Sequence, residues 1–228
     1  MRLRNTARVS TKAAPASDLT PRERLQAALL YVITPDAEPK HVLRIARAAQ
    51  RGGADVVQLR HKNLARGELL GLARRMRELL QDALFIVNDH VDIALLSGAD
   101  GVHLGQDDLS VASAREVAGD ALIVGASASS VDAARMAVAA GADYVGSGPA
   151  FATPIKAQKQ VIGPHGVAEV SRALGSDVPV FAIGGVEATN IAELTAVGVH
   201  RACVIRAVAN AKDPEQAARR LRAMLSPR

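Results

Sequence analysis

A single (β/α)8 (TIM) barrel is the fold class this sequence predicts, and three observations carry the prediction. Eight short β-branched runs alternate with Ala-, Leu- and Arg-rich stretches of helical period. Those amphipathic stretches close on glycine, where a helix C-cap wants positive φ. The chain has 228 residues, 49% of them hydrophobic, which suits one barrel domain with a sizeable core. A doubly wound open sheet is the alternative reading of the same alternation.

In chain order the strand candidates begin with "LLYVIT" (29–34), "VVQLR" (56–60), "FIVND" (85–89) and "GVHLG" (101–105). "IVGASA" (123–128), "YVGSGP" (144–149), "VFAIGG" (180–185) and "ACVIRA" (202–207) complete the set. Each is a short apolar run with a polar or glycine-containing end. Between them lie helical segments such as "HVLRIARAAQRGG" and "SVDAARMAVAAGAD", and glycine closings recur in "SGADG", "AAGADY" and "AVGVHR". The stretch "AFATPIKAQKQVIG" is poor in helical signal and has the character of a mobile lid loop. Residues 1–20 are expected to form a disordered basic tail, and 21–228 the barrel domain.

The net charge of +5 is concentrated at the N-terminus, where Arg2, Arg4, Arg8 and Lys12 against Asp18 leave +3 in eighteen residues. That tail is Arg- and Ser/Thr-rich, the composition of an organelle transit peptide or of a plain disordered extension. With three Phe, two Tyr and no Trp, the chain offers no stacking platform for bases, which argues against nucleic-acid binding. No apolar run approaches the ~20 residues that span a bilayer. Cys203, the only cysteine, excludes an intrachain disulfide and reads as a buried core residue. A reducing, cytoplasmic location and phosphorylated small-molecule partners are expected, and a homo-oligomer is compatible with the sequence.

Active sites of barrels sit where strands run into loops at the C-terminal face, so polar strand ends carry the chemistry. Strand two ends in Gln58, Arg60 and Lys62, strand three in Asn88 and Asp89, and strand four brings His103, Gln106, Asp107 and Asp108. Strand five contributes Ser127, strand six leads into Thr153 and Lys156, strand seven stops at Gly184-Gly185 and strand eight at Ile205-Arg206. Arg60, Lys62 and Lys156 supply positive charge for an anionic ligand, and paired glycines let backbone N–H groups approach a phosphate. Mg²⁺ takes one or two carboxylates and completes its shell with water and phosphate oxygens. Neighbouring strands lie ~5 Å apart, so Asp89 and Asp108 are placed to share one ion.

Plainer readings stand beside these. Asp89, Asp107 or Asp108 could cap a following helix, and "DDLSVASAREVA" looks like a helix beginning. Ser127, Ser129 or Ser130 could do the same before the next helix. Arg60 and Lys62 could be surface charges, although the alternation Gln58-Leu59-Arg60 aims polar groups at the barrel interior, where they need a partner or ligand. His103 is a core histidine, a substrate hydrogen-bonder or a metal ligand. His41, His61, His90, His165 and His200 show no ligand spacing and are taken as surface or structural.

The blocks "VVQLRHK", "FIVNDHVDIALLSGADGVHLGQDDL", "GADYVGSGPAFATPIK" and "VPVFAIGGV" resemble the signature blocks of the thiamine phosphate synthase family, over roughly residues 28–210. The resemblance implies coupling of 4-amino-5-hydroxymethyl-2-methylpyrimidine diphosphate with 4-methyl-5-(2-phosphoethyl)thiazole, giving thiamine phosphate and diphosphate by a Mg²⁺-assisted dissociative route. It implies Asp89 and Asp108 as Mg²⁺ ligands, and Arg60, Lys62, Asn88, Ser127 and Lys156 as the diphosphate-binding set. Gln58 and His103 match positions near the pyrimidine. Thr153, Gly185, Ile205 and Arg206 match the phosphate end.

Three departures stand out. The lid reads Thr153-Pro154-Ile155-Lys156 where the family has Thr-x-Thr-Lys, Arg206 replaces a small Ser, and "GASASS" lacks a Thr-His pair. They keep two alternatives open: an enzyme similar to the thiazole tautomerases, and a non-catalytic barrel that binds a phosphorylated thiazole.

Overall fold

In a computed structural model of the chain, which describes residues 19–153 and 160–226, eight parallel strands close into a barrel. The strands are β1 (Leu30–Ile33), β2 (Val56–Leu59), β3 (Leu84–Asn88), β4 (Gly101–Leu104), β5 (Ile123–Ala128), β6 (Tyr144–Ser147), β7 (Val180–Ile183) and β8 (Ala202–Val204). Each pairs with its neighbours in sequence, and β8 closes on β1 with Tyr31 opposite Cys203. The open-sheet alternative is thereby excluded. Helices α1 (Pro21–Ala27), α2 (Pro39–Arg51), α3 (Arg66–Leu79), α4 (Val91–Ser97) and α5 (Val111–Ala118) flank the first half. The second half carries α6 (Val131–Ala139), α7 (Gly163–Leu174), α8 (Ile191–Ala196), the short α9 (Arg206–Ala209) and α10 (Pro214–Leu225).

Strand periodicity divides the apolar residues into two cores. Outward side chains such as Val32, Val57, Phe85 and Val145 pack against the helices. Inward ones, among them Tyr31, Ile33, Ile86, Tyr144, Phe181 and Cys203, fill the barrel, which Leu25 of α1 closes from below. Helix α1 opens with a capping box, in which the Thr20 hydroxyl accepts from the Glu23 N–H and the Glu23 carboxylate accepts from the Thr20 N–H.

The helix closings behave as two different devices. Gly98 caps α4 at φ +68, as the sequence rule expects. Gly52, at the end of α2, has φ −76 and answers to space instead: a Cβ there would lie 2.5 Å from the Ala218 Cβ of α10. The aspartates of the three Gly-Ala-Asp closings also matter, a signal the glycine reading passes over. Asp55, Asp100 and Asp143 each accept backbone N–H bonds from the start of the preceding strand, at Leu29 and Leu30, at Phe85 and at Val124. Each is held by an arginine of the helix shell: Arg222, Arg77, and Arg22 with Arg115. Three alternate interstrand seams are pinned this way at the bottom of the barrel, opposite the site.

Two boundaries correct the sequence reading. The run 202–207 ends as strand at Val204, and Arg206 is the first residue of α9, not a strand terminus. The helix expected from "DDLSVASAREVA" starts only at Val111, with Ser110 as its cap. The basic tail, residues 1–18, and the lid positions Ile155 and Lys156 lie outside the described residues. Among the described residues, no helix is long and apolar enough to cross a membrane.

Candidate functional site

A cavity of about 420 Å³ opens at the C-terminal ends of the strands. Its wall contains Gln58, Arg60, Lys62, Asn88, Asp89, His103, Asp108, Ser127, Thr153, Gly185, Ile205 and Arg206. With Gln106, Asp107 and Gly184, which also line it, these are the strand-end residues singled out from sequence except Lys156, which lies outside the described residues. The ends of seven strands, β2 to β8, and their loops thus meet in one concavity, as the barrel closure demands.

The cationic side is built on the loop after β2. The Arg60 N–H donates to the Thr34 hydroxyl (3.2 Å), and its guanidinium lies 3.8 Å from Asp36. Asp36 also accepts from the Lys62 N–H (3.3 Å) and stands 3.1 Å from His61 Nδ1. His61 is structural, as expected, with Nε2 3.0 Å from the Ala37 carbonyl. Asp36 therefore anchors the backbone and side chains that present Arg60 and Lys62. Sequence reasoning missed it, because an acid in the loop "TPDAEP" carries no periodic signal.

Lys62 crosses to the acidic side, its Nζ 3.4 Å from Asp89. Asp89 has φ +66, the only left-handed non-glycine residue among those described. Its N–H donates to the His103 carbonyl (2.8 Å), which ties the end of β3 to β4. It does not cap α4, whose N-cap is His90; nor does Asp107 or Asp108 cap α5. Instead Asp108 accepts from the Gly105 N–H at 2.7 Å, turning its carboxyl back toward Asp89. Asp107 is exposed at the rim.

The two carboxyls are hydrogen-bonded neighbours. Burial, the bond to Asp108 and that group's negative charge raise the Asp89 pKa, with Lys62 opposing. Burial also acts on Asp108, but the Asp89 bond, the Gly105 N–H, Lys62 and His90 pull its pKa below the usual range. Two like charges held in contact favour either a shared proton or a bridging cation. Among the described residues no group of three or more His, Cys, Asp or Glu could hold a metal alone. This pair is a donor set for a hard cation that brings other oxygen ligands.

The cavity floor is polar and continuous. Gln58 is buried and donates to the Tyr31 hydroxyl (2.7 Å), which lies 2.9 Å from the Tyr144 hydroxyl. Tyr144 in turn meets His103 Nδ1 (3.0 Å), whose Nε2 faces Ser127 Oγ (3.0 Å). Ser127 lies within β5 and does not cap α6; Ser130 does. Both tyrosines were missed from sequence. Cys203 is buried, as expected, but in the wall of the cavity rather than behind it.

The remaining wall follows β7. Gly184 and Gly185 take φ +95 and +65, and a Cβ on either would strike Pro149 or the Ala152 carbonyl, at 2.8 and 2.6 Å. Glycine is required there for both conformation and space. The turn is held by Asn190, whose amide donates to the Gly185 carbonyl at 2.8 Å. Thr153, Ile205 and Arg206 border it. Arg206 forms no ion pair with an acidic side chain among the described residues.

Comparison with known proteins now bears on this geometry. The family model described as thiamine monophosphate synthase (TMP-TENI) matches residues 30–208, which span all eight strands. The chain belongs to the thiamine monophosphate synthase family. It is 46% identical over 198 residues to a thiamine-phosphate synthase of Anaeromyxobacter dehalogenans, covering 85% of this chain and 86% of that protein. A thiamine-phosphate synthase of Gloeobacter violaceus is 42% identical over 209 residues, 91% of this chain but 60% of the relative's length. The solved thiamine phosphate pyrophosphorylase of Pyrococcus furiosus superposes with a TM-score of 0.80 at 38% identity, covering 90% of this chain and 96% of that one.

Arg206 places a cation in the same cavity wall as the Gly184-Gly185 turn.

Proposed function

We propose that the chain catalyses thiamine phosphate synthesis, joining 4-amino-5-hydroxymethyl-2-methylpyrimidine diphosphate to 4-methyl-5-(2-phosphoethyl)thiazole with release of diphosphate. The observation that carries the reading is the contact of Lys62 with the Asp89–Asp108 pair beside Arg60 in one cavity. A proton-transfer enzyme acting on a thiazole carboxylate has no use for that combination. A leaving diphosphate does.

The residues divide the work as follows. Arg60 and Lys62 neutralise charge on the diphosphate, with Asn88 and Ser127 as neutral hydrogen-bonding groups and Lys156 supplied by the lid sequence. Asp89 and Asp108 would hold Mg²⁺, which when bound supplies further neutralisation of the leaving oxygens. Gln58 and His103 face the pyrimidine from the cavity floor. Thr153, the Gly185 turn, Ile205 and Arg206 receive the thiazole phosphate.

The bond from the pyrimidine methylene carbon to the diphosphate oxygen breaks with its electron pair on oxygen. The thiazole nitrogen lone pair then fills the vacant carbon orbital. Such chemistry needs charge stabilisation and positioning rather than an acid–base pair. The test is incubation of the purified protein with both substrates and Mg²⁺, followed by assay of thiamine phosphate and diphosphate. Equal amounts of both products, abolished by EDTA, are expected; absence of both overturns the reading.

A further inference from the structure

The hydrogen-bonded floor of the cavity has a direction, and the direction follows from counting protons. Burial raises the pKa of Tyr31 and of Tyr144, so each phenol keeps its one O–H. Gln58 Nε2 donates to the Tyr31 oxygen. The Tyr31 proton then has the Tyr144 oxygen as its acceptor, the Tyr144 proton has His103 Nδ1, and the His103 proton sits on Nε2 and points at Ser127 Oγ.

In that pattern each phenol proton and the ring proton of His103 has an acceptor. If His103 instead donated from Nδ1, Tyr144 would have to turn its proton to Tyr31. The Tyr31 oxygen would then accept from both sides, and its own proton would be turned away from the Tyr144 oxygen. A stranded donor in a closed interior is the arrangement that folded proteins avoid.

The neighbouring glycines show that the contact is built. Across the register His103 stands opposite Gly125, and Gly125 opposite Tyr144. A Cβ on Gly125 would lie 2.0 Å from Tyr144 Cζ, so the missing side chain is what lets the two rings meet, with centroids 5.5 Å apart. Gly146 gives similar room on the next strand, where a Cβ would come within 3.3 Å of His103 Cε1.

We infer that Tyr144 is a positioning residue that holds His103 as its Nε2–H tautomer, so that Ser127 accepts from the ring and turns its own proton into the cavity. Ser127 then acts as an obligate hydrogen-bond donor, suited to an anionic oxygen of the substrate. This rests on the proposed synthase reading only for what the anion is; the tautomer is a property of the free protein.

Two measurements test it. Nitrogen-15 NMR of histidine-labelled protein, with His103 assigned by its loss in His103→Asn, should show Nε2 protonated and Nδ1 bare. In Tyr144→Phe the preference should collapse toward a mixture of tautomers, whereas Tyr31→Phe should keep it, because Tyr144 retains its proton to give. Both tyrosines are equally buried, so a purely packing role would not separate the two variants. A wild-type His103 with Nδ1 protonated overturns the inference, as does an unchanged tautomer in Tyr144→Phe.

The second measurement uses turnover. Ser127→Ala removes the donor, and by analogy with oxyanion donors should lower kcat about 10²-fold with a smaller change in KM. Tyr144→Phe should lower kcat in the same sense, and the double variant should be no worse than Ser127→Ala. Additive losses overturn the coupling. Should no thiamine phosphate form at all, the synthase reading fails while the NMR result still decides the tautomer.

Discussion

Replacing Asp89 with asparagine separates its electrostatic role from its backbone role. At φ +66 an ordinary L-residue costs about 1 kcal/mol, which Asn and Asp largely escape through local hydrogen bonding. Asp89→Ala therefore combines two effects: loss of a carboxylate and left-handed strain. Asp89→Asn removes the charge alone, and its amide N–H can still donate to Asp108.

The sign of the stability change follows from the pKa direction. Asp89 holds its proton more tightly in the fold than in the unfolded chain, so its contribution to stability is present at acid pH and is lost as pH rises through the folded pKa. At neutral pH its ionised form is a liability, and Asp89→Asn should melt at or above the wild-type temperature in EDTA. Asp89→Ala should melt about 2–4 °C below Asp89→Asn, the shift expected for 1 kcal/mol in a domain of this size. Both variants should lose turnover, because one carboxylate alone makes a poor Mg²⁺ site. Thermal melts with and without Mg²⁺ plus a Mg²⁺ titration of product formation decide it. Wild-type turnover of Asp89→Asn at limiting Mg²⁺ would sink the metal assignment, and equal melting of the two variants would sink the backbone argument.

Gly125→Ala places a methyl group in the Tyr144 ring and should destabilise the fold by about 2 kcal/mol of overpacking strain, visible as a melting shift of several degrees. Asp36→Ala frees Arg60 and the Lys62 backbone from their anchor; KM for the pyrimidine diphosphate should rise more than kcat falls, and an unchanged KM would make Asp36 irrelevant to presentation. Arg206→Ser should weaken binding of the thiazole phosphate while Ile155 is present and matter less once Ile155→Thr restores a hydroxyl; strictly additive effects in that cycle would refute compensation.

The parts of the fold that could be read from the chain are those in which one residue's chemistry answers to one local period. Each strand is a short apolar run, and a barrel strand has one end at the mouth, so a polar group there, such as Asn88 or Ser127, declares itself without any partner in view. What escaped depends on pairs far apart in sequence or on backbone conformation. Tyr31 and Tyr144 are 113 positions apart and look like ordinary core aromatics until closure brings their hydroxyls to 2.9 Å. Asp36 sits in a loop and becomes meaningful only when the β2 loop folds over it. The left-handed turn at Asp89 is invisible because no glycine marks it, and the end of β8 was overrun because no glycine or proline in "CVIRAV" marks where strand becomes helix.

Register explains why these omissions cluster at the cavity floor. Facing positions on β4, β5 and β6 read His, Gly, Tyr, and only the glycine between them turns two separate polar residues into one hydrogen-bonded unit. A strand taken singly shows an inward His or an inward Tyr in search of a partner. The partner is written two strands away, and the permission for them to meet is written on the strand between.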